Sequence, residues 1–171
     1  NDAKKAVCWN YIGEVHRTAE DWDRARRAYQ NALDLTMSLH QLRRNTIRLN
    51  LALIAVGRRD YEAAERRLEE AAGETYDFAV RIEAMVRACL AGAEGDWERW
   101  DREFDRAGEE ARASHGVELD EAWVAELAAE VARREGESER ARRAFEHAAR
   151  RWERLGRSER ARECRDRAGG G

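Results

Sequence analysis

The sequence predicts an all-α fold of about four stacked helix pairs closed by a further helix, and three observations carry that prediction. Four segments share one spacing, in which a large residue is followed three positions later by a second member, four beyond that by an aromatic or Leu, and three further on by Ala. The sets are Trp22, Ala25, Tyr29, Ala32; Tyr61, Ala64, Leu68, Ala71; Trp97, Trp100, Phe104, Ala107; and, weaker at its first member, Ser138, Ala141, Phe145, Ala148. Steps of three and four place each set on one side of an α-helix. Second, a small residue stands twelve positions ahead of each set's second member, at Gly13, Ala52, Ala88 and Ala129. Third, the 171 residues hold no Pro, are 43% hydrophobic, and show no strand-turn-strand pattern.

The sets recur 39, 36 and 41 residues apart, the signature of similar units that bury their faces on one another. Each unit reads as two antiparallel helices, the small residue allowing close approach and the aromatic filling the space beside it. The helices are expected at about 2–19 and 22–37, 40–57 and 60–72, 75–92 and 96–113, 119–135 and 138–155. Gly57, Gly92, Gly95 and Gly136 supply stops between them, and Asp21, Asp60 and Asp96 stand where the next helix needs a cap. A ninth helix, 158–168, sets Ala161, Cys164 and Ala168 against many arginines and reads as the lid of the last pair, within one domain spanning 1–168. Gly169, Gly170 and Gly171 are expected to be a disordered tail.

These residues resemble the tetratricopeptide repeat. Trp9, Ile12, Gly13, Trp22, Ala25, Tyr29 and Ala32 match its pattern in the first unit, and Leu51, Ala52, Tyr61, Ala64, Leu68 and Ala71 in the second. Units three and four depart from it at Arg87, Trp100 and Ser138, and no unit ends in the usual Pro. Arg48–Leu53, Gly95–Asp101 and Trp152–Arg157 look like the helical repeats C-terminal in bacterial serine/threonine kinases and regulatory ATPases. The resemblance implies a right-handed α-solenoid serving as a non-catalytic interaction or regulatory module. Its partner is a protein or peptide, or a catalytic domain of the same polypeptide.

In such a stack the first helix of each pair lines the concave side. The groove is therefore drawn through Asn10, Glu14 and Arg17, then Leu49, Asn50 and Leu53, then Met85, Val86 and Cys89, then Trp123, Glu126 and Glu130. An apolar middle with charged ends suits an amphipathic helix or an extended peptide, because apolar burial supplies affinity while charges fix orientation. The alternative is that Leu49, Leu53, Met85 and Cys89 pack between repeats. The subclass of this family that grips a terminal carboxylate is disfavoured, because Ile82 and Val86 occupy the third unit's basic slots.

Other functions find less support. His16, His40, His115 and His147 lie in different units, without a nucleophile, phosphate-loop or metal-ligand motif, so no catalysis, cofactor or metal is expected. Cys8, Cys89 and Cys164 are widely separated and read as small core residues. From Arg133 to Arg167 there are 13 basic and 8 acidic residues. These interleave at helical spacing without an aromatic ladder, so nucleic acid is disfavoured as a partner. No run is apolar enough to cross a bilayer, and a cytoplasmic location is expected. Self-association remains open as a structural alternative.

Overall fold

A computed structural model describes residues 1–36, 41–73, 76–113, 116 and 118–170, with the side chain of Leu42 also outside the description. The expected helix ends at 37, 40 and 75, and His40, His115 and Gly171, lie outside the described residues. Within them the chain forms nine helices and no strand. These are α1 (Asp2–Thr18), α2 (Trp22–Leu35), α3 (Gln41–Gly57), α4 (Tyr61–Glu70), α5 (Asp77–Glu94), α6 (Trp97–Ala113), α7 (Leu119–Arg134), α8 (Ser138–Arg154) and α9 (Ser158–Gly169). No helix among the described residues is long and apolar enough to cross a membrane. The chain divides into two compact units, Asn1–Ala79 and Val80–Gly171.

One turn geometry recurs along the backbone. Glu20, Arg59, Gly95 and Gly136 all have positive φ, at +57°, +63°, +76° and +80°, and each stands two residues before the helix that follows. Gly156, at +72°, does the same ahead of α9. In every case the next residue's N–H reaches back over five residues: Asp21 to His16, Asp60 to Ala55, Asp96 to Ala91, Glu137 to Ala132 and Arg157 to Trp152. That bond, with the left-handed residue before it, is the Schellman arrangement, which satisfies carbonyls that a helix end would otherwise leave bare. Asp21, Asp60 and Asp96 then cap the next helix, accepting from the backbone N–H of Arg24, Ala63 and Arg99 at 3.3, 3.1 and 3.0 Å.

Two of these turns differ from the sequence expectation. Gly57 is the last residue of α3, and the left-handed position falls on Arg59. Gly92 does not end α5, which continues to Glu94. Its role is close approach, since a Cβ there would lie 2.7 Å from Val131 Cγ1 and 3.2 Å from Trp100 Cδ1. The room left by Gly92 admits Trp100 where the repeat pattern has Ala; its buried indole stacks on Phe104 with centroids 4.8 Å apart.

In the first unit, α1 and α2 close on Gly13, where a Cβ would lie 2.6 Å from the Tyr29 ring. Tyr29 is wholly buried, and its hydroxyl accepts from Arg17 Nε at 3.2 Å. With Ala25 and Ala32 it joins Ile47, Leu51 and Ile54 of α3 in one core cluster, edged by Trp9, Trp22 and Leu33.

The second unit holds a buried charge cluster. Glu121 on α7, 1% exposed, takes Arg81 Nε of α5 at 3.2 Å and Arg151 Nε of α8 at 2.9 Å. His147 Nε2 stands 3.9 Å away. Burial first, then the charges of Arg151, Arg150 and Arg112, pull the His147 pKa down to about 3, so the imidazole is neutral. Helix α9 covers the end of this unit with Ala161 and Cys164 fully buried. It also takes in Gly169, which the sequence placed in a tail.

Candidate protein-interaction cleft

The sequence-predicted groove residues separate into three groups. Asn10 and Glu14 line an open cleft of about 340 Å³ in the first unit. Helix α1 supplies Ala6, Val7, Asn10, Tyr11 and Glu14, α3 supplies Arg43, Thr46 and Ile47, and Thr36 and Tyr76 complete the wall. The α1 residues recur at three- and four-residue steps, which brings them to one side of the helix. Asn50, itself buried, donates from Nδ2 to Asn10 Oδ1 at 3.0 Å, and Asn10 Nδ2 donates to Glu14 Oε1 at 2.7 Å. This relay from α3 to α1 holds the Asn10 amide and the Glu14 carboxylate in place at the cleft wall. Tyr76, stacked on Phe78 at 5.5 Å, and Tyr11 present large rings to solvent.

The second group forms no accessible floor. Leu53, Met85, Val86 and Cys89 have no exposed surface, and Leu49 is 5% exposed. Every residue from Leu49 to Val56 on α3 is buried, as is Ala84 to Ala91 on α5 except Arg87. A helical segment buried on nearly every side is enclosed rather than presented to a ligand. These residues therefore pack, as does Arg17 through its bond to Tyr29. Cys89 reaches the Val124 carbonyl with Sγ at 3.9 Å, and burial pushes its thiol pKa up. Cys164 is raised to about 12, by burial first and then by Glu126. Cys8, expected in the core, is instead exposed on α1.

The third group serves α9. Glu126, 4% exposed, accepts from Trp152 Nε1 and receives Arg160 Nε at 2.8 Å and Arg160 Nη2 at 3.0 Å. Arg167 pairs with both Glu126 and Glu130, and Arg133 Nη2 lies 2.9 Å from Glu130. The expected charged end of a groove is thus the anchorage of the last helix. Trp123 is half-buried.

Sequence reasoning missed Val7, Tyr11, Ile47 and Tyr76 as cleft residues. Val7 and Tyr11 follow from Asn10 and Glu14, since steps of three and four along α1 join all four. The cleft offers apolar walls and rings, an amide, a carboxylate and the Arg43 guanidinium, a set suited to holding a side chain while bonding peptide groups. Among the described residues no group of three His, Cys, Asp or Glu is arranged to hold a metal ion. No protein-family model matches the chain, and no curated protein matches it.

Proposed function

We propose that the chain is a non-catalytic interaction module, a solenoid of tetratricopeptide-like helix pairs whose cleft between α1 and α3 takes a short peptide. The single observation that carries this reading is the cleft itself, open, about 340 Å³ in volume, and walled by the first helices of two successive pairs. The turn repeated at Glu20, Arg59, Gly95 and Gly136 supports the repeat character of the fold. The resemblance to segments of bacterial kinases and ATPases supports a regulatory role, in the cytoplasm, within a larger signalling protein.

The ligand this site fits is a peptide with an apolar or aromatic side chain for the space between Val7, Ile47 and the tyrosine rings. Its backbone amide would meet Asn10 or Glu14. A nucleic-acid partner is opposed by the pairing of the C-terminal arginines. Arg140 and Arg143 engage Asp101, Arg142 engages Glu139 and Glu146, and Arg165 engages Glu153. Selection of binders from a random peptide library on the immobilised chain tests the reading. Tyr11→Asp is expected to weaken a selected peptide at least about tenfold, the loss of one buried aromatic contact, with the circular dichroism unchanged. Equal binding by the variant would move the site elsewhere.

A further inference from the structure

The repeat register says what the back of α1 is for. Cys8, Ile12 and Val15 lie on the side of α1 away from Gly13 and the core, and all three are exposed, Ile12 by 40% and Val15 by 67%. The 39-residue spacing between the first two units carries them onto Ile47, Leu51 and Ile54 of α3. Those three residues are 4%, 4% and 1% exposed, packed in one cluster with Ala25, Tyr29 and Ala32 of α2, with Ile47 at its edge on the cleft. The same stripe is therefore covered by a preceding second helix at one place in the chain and bare at the other.

We infer that the back of α1 is a docking face for the second helix of another helix pair. Its occupant is an amphipathic helix carrying an aromatic or Leu with small residues four before and three after it, as α2 carries Ala25, Tyr29 and Ala32. A folded second copy of this chain has no such helix to spare. Tyr29, Leu68, Phe104 and Phe145, the large members of that pattern in α2, α4, α6 and α8, are all buried already. A contiguous apolar stripe on one helix is the kind of surface that marks an interaction site. It adjoins the cleft at Tyr11, which stands three residues after Cys8 and four before Val15, while Asn10 and Glu14 face the cleft itself, so changes at Ile12 and Val15 test this face and not the polar wall of the cleft.

The test adds a second copy of residues 1–39 directly ahead of Asn1, keeping the register, with Cys8→Ser in the added copy. Cys89 and Cys164 are buried, so modification of the original Cys8 by a thiol reagent reads the stripe directly. Docking is expected to slow that reaction at least about tenfold and to raise Tm. Ile12→Asp with Val15→Asp in the original α1 should restore the rate of the unextended chain. Both are surface changes there, so the unextended double variant should keep its fold and serve as the control. An added segment that gains no helix, or that gains helix while Cys8 reacts as before, overturns the inference. So does an unextended chain that forms a dimer in which Cys8 is already protected.

Discussion

Both compact units bury polar groups, but they place their carboxylates differently. In Asn1–Ala79 no described carboxylate is buried; the carboxylates stay at the surface, where the Asn50, Asn10 and Glu14 relay borders an open cleft beside an exposed apolar stripe. In Val80–Gly171 two are drawn inside, where Glu121 holds two arginines and Glu126 pins α9. The first arrangement leaves surface for other molecules, and the second seals an end. Burying a charge costs several kcal/mol, so the second unit depends on every member of its cluster being present, whereas the first tolerates change at its rim.

The largest test of that contrast is Glu121→Ala, which strands Arg81 and Arg151. It should cost about 3–5 kcal/mol, read by urea unfolding, with loss of amide protection concentrated in Val80–Gly171. Replacing Glu121, Arg81 and Arg151 together by apolar residues of similar volume should recover most of it. Next comes Gly92→Ala, which drives a methyl against Val131 and should cost about 1–3 kcal/mol. Adding Val131→Ala should relieve the clash, a coupling that a double-mutant cycle measures.

His147 gives the comparison a pH axis. Its folded pKa, about 3, lies below the unfolded value of about 6.5. The unfolded chain therefore binds the extra proton first, and this group's contribution is complete above pH ~6.5 and is lost as the pH falls toward 3. Between pH 6.5 and 5 the loss should be about 1–2 kcal/mol. His147→Leu should flatten that part of the stability profile, and an unaltered slope would place the acid sensitivity in another group. The smallest effect belongs to the first unit. Arg59→Gly removes a left-handed non-glycine residue and should raise stability by about 1 kcal/mol, seen as a higher urea midpoint, while Gly136→Ala should lower it by a similar amount.

The helix pairs were legible because each buried stripe leaves a periodic trace, and Asp21, Asp60 and Asp96 mark starts that the backbone uses. The left-handed corners were half legible. Gly95 and Gly136 announce themselves, but Glu20 and Arg59 do not, since the Schellman bonds can hold a strained residue whose side chain gives no sign. Asn10 and Glu14 reached the candidate site because helical spacing gives their direction from the axis. The same spacing placed Leu53 and Met85 there, and spacing alone does not say whether solvent or another helix stands opposite. Glu121 did leave a signal, a carboxylate on the stripe of Ala125, Ala128 and Ala132. Glu126 left none, because Trp152, Arg160 and Arg167 follow it by 26, 34 and 41 residues.

The distribution of sulfur has a practical corollary. One thiol in three meets solvent, and the two sealed ones are held protonated by their surroundings. In an oxidising buffer each molecule can therefore form a single covalent bridge to a neighbour, so air oxidation of the folded chain ends at a crosslinked pair and goes no further.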